Sequence, residues 1–164
     1  MTNGLDFNAI KKNLQQYKDN INSEVEQFKK RIDDYIDNNE DEIIEKLQEA
    51  FNTTALKHGT TSIEINVTYY NNFDRTYPNS CAIKFDRDVL VKVFKDCKIP
   101  RGKEEECISY ALEKLINKLR IVPFNGNTSK KIIKPNISKP IVRDSMTGNF
   151  AYGYFNVSID IERL

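Results

Sequence analysis

The sequence predicts an α+β fold: a long N-terminal amphipathic helix, or helical hairpin, followed by a mainly antiparallel sheet of about four strands with one or two helices on one face. Three observations carry this. Apolar residues recur at helical spacing from residue 5 to about residue 57. The period changes to two just after Gly59. From there, strand-like and helix-like runs follow one another over short connections, the order expected of an α+β chain.

The helical stripe comprises Phe7, Ile10, Leu14, Tyr17, Ile21, Val25, Phe28, Ile32 and Tyr35, then Ile43, Leu47 and Phe51. Phe7 to Val25 is 18 residues, and Val25 to Ile43 is 18 again. That is five turns at about 3.6 residues each, so the seam runs straight on an unstrained helix and does not force a supercoil. One stretch interrupts it. Residues 37–42 are all polar; Asn39 can cap a new helix, with Glu42 at the capping-box position and Glu40 and Asp41 in the first turn. Lys57 and His58 suit a helix C-terminus, and Gly59 supplies a left-handed cap.

Residues 62–70 alternate as a half-buried strand, and 81–85 make a second strand antiparallel to it after a loop containing Pro78. Asp86 or Asp88 can then cap a short helix carrying Leu90, Val93, Phe94 and Cys97; a Val-rich strand over 89–94 is the rival reading. A strong helix opens with Glu104, Glu105 and Glu106, buries Ile108, Ala111, Leu112, Leu115, Ile116 and Leu119, and closes with Lys118 and Arg120. Asn125-Gly126 reads as a turn. Residues 130–143 look extended, but Pro135 and Pro140 confine them to an edge or bulged strand. A turn at Thr147-Gly148-Asn149 leads into a last strand over 150–161, with Phe155, Val157, Ile159 and Ile161 on one face. The division expected is a helical arm and oligomerisation segment at 1–58 and an α+β body at 59–164.

Charge is balanced overall at +1, from 25 basic and 24 acidic side chains, which excludes a strongly basic nucleic-acid coat. It is unevenly placed: residues 1–50 carry a net −5 and residues 51–164 a net +6. The two parts should attract each other, or opposite parts of neighbouring copies. No apolar run reaches the length of a membrane span, so no membrane partner is expected. The first residues lack the apolar run of a secretory signal. Cys81, Cys97 and Cys107 then read as reduced thiols, and the five Asn-x-Ser/Thr sequons as unmodified. The expected location is cytoplasmic, or a virion if the source is viral. The abundance of Asn, Ile and Lys matches an A/T-rich genome, as in some bacteria, many phages and some large DNA viruses, and a phage or viral component is one reading.

No catalytic signature stands out. His58 is the only histidine, so nucleophilic triads depend on one residue that helix capping already explains. Asp74, Asp86 and Asp88 flank strands but lack the accompanying pattern of a carboxylate-metal nuclease. Phosphate-loop, dinucleotide and zincin motifs are missing, so no catalytic residue, metal or other cofactor is expected. The acidic residues at 37–49 could mimic nucleic-acid phosphates, but a solvated helix face explains them more simply.

Two interaction surfaces are expected. A continuous helix over 5–57 would be about 80 Å long, whereas a compact domain of this size spans about 40 Å. The seam therefore either folds back at Asn38-Asn39 or packs on other copies. The second course is favoured, with Ile10, Leu14, Tyr17, Ile21, Val25, Phe28, Ile32 and Tyr35 forming the interface of a homo-oligomer. The C-terminal hairpin places Phe150, Tyr152 and Tyr154 beside Lys130, Lys131, Lys134, Lys139 and Arg143. Aromatics beside cations suit a protein interface and also single-stranded nucleic acid. The leading expectation is a non-enzymatic structural, assembly or interaction protein whose main partner is itself. The alternative is a single-strand-binding accessory protein.

Overall fold

The computed structural model describes residues 4–70, 80–86, 89–94, 99–100, 102–120, 133–136, 141–143 and 150–159. The expected α+β architecture is present. Two helices, α1 (Phe7–Asn38) and α2 (Glu40–His58), precede strands β1 (Ser62–Tyr70), β2 (Ser80–Phe85) and β3 (Val89–Phe94). Helix α3 (Glu104–Leu119) follows, then β4 (Ile133–Asn136), β5 (Ile141–Arg143) and β6 (Phe150–Ile159).

The strands lie in the order β3-β2-β1-β6-β4, and β5 also pairs with β6; every pairing is antiparallel. Strands β4 and β5 take successive stretches of one edge of β6, β4 against residues 156–159 and β5 against 150–153. This divided edge contains Pro135, as the proline requires. The turns expected at 125–126 and 147–149, the Pro78 loop, Asp74, Asp88 and Cys97 lie outside the described residues.

The pleat sorts the side chains by face. Ile65 sits between Phe85 on β2 and Phe155 on β6, while Ile63 and Val67 align with Val157 and Ile83. All seven are buried. Glu64, Asn66, Lys84, Tyr154 and Asn156 occupy alternate positions and are half-buried. One face is core and the other polar, as an antiparallel sheet covered on one side allows. Helix α3 packs on β6 and β1, and α2 on β3, β1 and β2. Cys81 and Cys107 are buried within this core.

Val89–Phe94 is a strand, and the short helix expected there does not form. Asp86 does not cap a helix. It adopts φ +60 after β2, a left-handed conformation that Asp tolerates better than most residues, and the chain turns to pair Phe85 with Val89. The β-branched positions Val89, Val91 and Val93 suit the ladder with β2.

The long helix breaks at Asn39, but not as a capped start of α2. Asn39 has φ −120 and makes no side-chain cap bond to α2. Its backbone N–H and its side-chain Nδ2 both donate to the Tyr35 carbonyl, at 3.0 and 2.9 Å. The Ile43 N–H still reaches the Asn39 carbonyl at 2.9 Å. The helical ladder is thus almost continuous through a bend, and Asn39 serves as a donor to the end of α1. Helix α2 does not fold back along α1; the two make few contacts with each other. The α2 C-terminus matches expectation: Gly59 is left-handed at φ +64, and its N–H bonds to the Ala55 carbonyl at 3.0 Å.

One hydrophobic cluster joins Val25, Phe28, Ile32, Tyr35 and Ile36 of α1 to α2, α3 and the sheet. Both the 1–58 segment and the 59–164 segment contribute to it.

Candidate functional site

The stripe on α1 is divided between two fates. Val25, Phe28, Ile32 and Tyr35 are buried in the chain's own core, so as placed here they are not available to a second copy. Ile21 is half-buried at the border. Ahead of it the stripe is bare: Phe7 is 72% exposed, Ile10 44%, Leu14 56% and Tyr17 62%, with Leu5 at 74% beside them. Every residue from 4 to 20 is exposed. Helix lengths account for the division. At about 1.5 Å per residue, the 32 residues of α1 run about 48 Å and the 16 of α3 about 24 Å. Helix α3 therefore supports half of α1, and the other half projects beyond it.

The projecting half has the local signals of a helix start. Asp6 is the N-cap, and its Oδ1 accepts from the Asn8 and Ala9 N–H groups at 3.1 Å each. Leu5 and Ile10 hold the N′ and N4 positions of a hydrophobic staple. Gln15 donates to Asp19 one turn on, at 3.0 Å. An isolated helix of this length is marginal in water because its first turn is costly. Here the body supplies the nucleus, and the arm only has to propagate.

A polar seam fixes the arm's base. Lys29 Nζ lies 3.4 Å from Glu106 and 5.3 Å from the centre of the Tyr110 ring. The Tyr110 hydroxyl donates to Asp33, whose carboxylate oxygens lie 2.8 and 2.9 Å away, and Lys114 stands 3.5 Å from the same carboxylate. Lys118 reaches Asp37 at 3.8 Å and Glu40 at 3.3 Å. The partners advance together along both helices, so α3 runs parallel to α1 with its first turn level with Lys29. Three of the carboxylates, Asp33, Asp37 and Glu40, come from the negative N-terminal part, and Lys114 and Lys118 from the positive remainder. The expected attraction between the two parts is realised here. Burial works against the Lys29 charge, but Glu106 and Glu26 outweigh it and raise its pKa. The hydrogen bond to Asp33, with burial, raises that of Tyr110. Burial, with Glu42 nearby, pushes Tyr35 up strongly.

A polar hollow of about 490 Å³ lies between the end of α2 and the sheet, lined by Thr54, His58, Thr60, Ser62, Ile63, Glu64, Asp86 and Asn156. Buried Thr54 donates to Asp86 Oδ2 at 2.9 Å, tying α2 to the turn after β2. Among the described residues His58 has no hydrogen-bond or ion-pair partner, so nothing orients its ring toward Ser62 or Asp86. A second hollow of about 400 Å³ is lined by residues 37–42 at the bend. Among the described residues no group of three or more His, Cys, Asp or Glu is placed to hold a metal ion. None of the described helices is long and apolar enough to cross a membrane.

Of the second expected surface, Lys130, Lys131 and Lys139 lie outside the described residues. Lys134 is on β4 opposite Ser158, Arg143 on β5 opposite Phe150, and Tyr152 on β6 opposite Thr68 and Val142. Tyr154 pairs with Asn66 and is half-buried on the polar face. Sequence reasoning missed Leu5, the Asp6 cap, the Tyr110–Asp33 bond and the gathering of His58 with Asp86. The first two had a signal, an apolar residue and a capping Asp just ahead of the stripe. The others depend on contacts between distant segments.

The chain matches no protein-family model, and neither the curated proteins nor the solved structures give a significant match.

Proposed function

We propose that this chain is a non-enzymatic assembly protein that self-associates through the exposed first half of α1. The observation that carries the reading is the bare row Phe7, Ile10, Leu14 and Tyr17, with Leu5, on a capped helix that projects from its own body. At about 150–200 Å² for each whole side chain, the exposed parts of these five amount to about 550 Å² of apolar surface per copy. Two copies facing each other would cover at most about 1,100 Å² from these side chains alone. The stems of Lys11 and Lys18 bring the contact into the range of a small specific interface, about 1,200–2,000 Å². Single exposed apolar residues are ordinary on a protein surface, and a contiguous row at the upper end of the roughly 300–600 Å² of a typical monomer's largest patch supports the reading.

The test is absolute mass by light scattering after size exclusion, over a concentration series. An oligomer that Leu14→Asp converts to a 19.1 kDa monomer with an unchanged circular-dichroism spectrum supports the reading. A wild-type monomer at all concentrations up to about 100 μM overturns it, because a contact weaker than that holds less than about 6 kcal/mol.

A further inference from the structure

The geometry points to an antiparallel pairing of two α1 arms, with the two bodies at opposite ends of the shared helix pair; this rests on the self-association just proposed. The occupant of the bare row is the same row of a second copy.

The argument begins with the straightness of the stripe. Phe7 and Val25 are five whole turns apart, so the face bare at Phe7 is the face buried at Val25. That buried face packs chiefly on α3. Helix α3 begins level with Lys29 and extends along α1 toward Asn39. A helix laid on the bare row therefore lies in line with α3, end to end. In a parallel pair, the partner's α1 would continue past the level of Val25 into the volume that α3 already fills. The partner's α3 would meet the first α1 in the same way. Straight helices at the usual separation of about 8–10 Å cannot diverge fast enough to clear both. In an antiparallel pair, the partner's arm enters from the free end and stops, with Phe7 at its tip about level with Glu24, short of the level of Lys29 where α3 begins. Its body then lies toward the first copy's Leu5, clear of the first copy's α3.

Charge alone would choose the other arrangement. A parallel pair sets Asp6 near the partner's Lys11, whereas an antiparallel pair brings Lys11 near the partner's Lys18. Exposed pairs of this kind are worth little. Occupied volume is the larger effect and decides the direction. With Leu14 and Tyr17 stacked across the two-fold axis, Ile10 meets the partner's Ile21. The half-buried border residue is thereby covered by a side chain of matching type.

Spin-label distances test this in the full-length chain with Cys97→Ser, since Cys81 and Cys107 are buried. One label is placed at Asn8→Cys and, in a separate sample, one at Gln16→Cys. Antiparallel arms put the Gln16 positions close together and offset the two Asn8 positions by roughly 20 Å along the axis. That pattern is the expected result. Short distances at both positions overturn the antiparallel arrangement while leaving self-association intact. No distance between copies at either position overturns both.

Discussion

Ile32 and Leu14 lie on one stripe of one helix, and truncating each to Ala should have opposite kinds of consequence. Ile32 is 0% exposed and Leu14 56%. Ile32→Ala removes three carbon groups from a closed core. At about 0.8 kcal/mol each, transfer costs about 2.4 kcal/mol. The cavity left behind brings the loss to about 3–4 kcal/mol, within the measured span of about 2–5 for such changes. Leu14→Ala removes as much carbon, but less than half of the residue is covered, so the folded chain loses at most about 1 kcal/mol. The assay is urea unfolding followed by circular dichroism at about 1 μM and about 100 μM protein. The Ile32→Ala shift should be the same at both concentrations. The Leu14→Ala deficit should be small at the lower and grow at the higher, where the proposed association would stabilise the wild type. An Ile32→Ala cost below about 1 kcal/mol would refute the placement of the stripe's second half in the core.

Four further outcomes are expected. Tyr110 and Tyr35 are both held protonated by the fold, so the stability they contribute is complete below the ordinary tyrosine pKa of about 10 and is lost as pH rises from there through the raised folded values. Tyr110→Phe should flatten part of that alkaline decline in a pH series of urea midpoints, while costing about 1–2 kcal/mol at neutral pH for the lost bond to Asp33. Thr54→Val keeps the side chain's shape but removes the donor to Asp86 and should lower stability by about 1–2 kcal/mol, read from the same midpoints. A Cβ at Gly59 would meet nothing within 4 Å, so Gly59→Ala should cost only the left-handed conformation, about 1–2 kcal/mol, with no change in mass. Deleting residues 1–20 should leave a folded monomer whose thermal midpoint matches that of the full chain at low concentration, because no side chain from residue 4 to residue 20 is buried.

Local signals carried most of the elements. The 3.6-residue period placed α1, α2 and α3, Gly59 ended α2, and the alternation from Ser62 to Tyr70 marked β1. The errors arose where distant contacts decide. Val89–Phe94 fits a helix face about as well as a strand face over six residues, and only pairing with β2 settles it. Asn39 has a good capping sequence around it, yet the ladder through Ile43 persists and turns its amide back to Tyr35. The stripe itself contains no mark of where the body ends. Phe7 and Phe28 are chemically alike, and their fates differ because α3 reaches one and not the other.

That last difference bears on function. A body built only to bury its own stripe could do so with four more turns on α3 or four fewer on α1. Neither is present, and the arm does not look like unpatterned surplus chain. It has a cap at Asp6, apolar Leu5 and Ile10 at the staple positions, and polar residues on its other faces. Its apolar positions follow steps of three and four as strictly as those in the core. In isolation each would favour burial, and together they present a straight, continuous face. Burial of Val25, Phe28, Ile32 and Ile36, with the polar seam from Lys29 to Lys118 beside them, anchors the base of the helix that bears them. A patterned, uncovered helix face supports the proposed pairing with another helix, and a second copy of this chain carries a matching face.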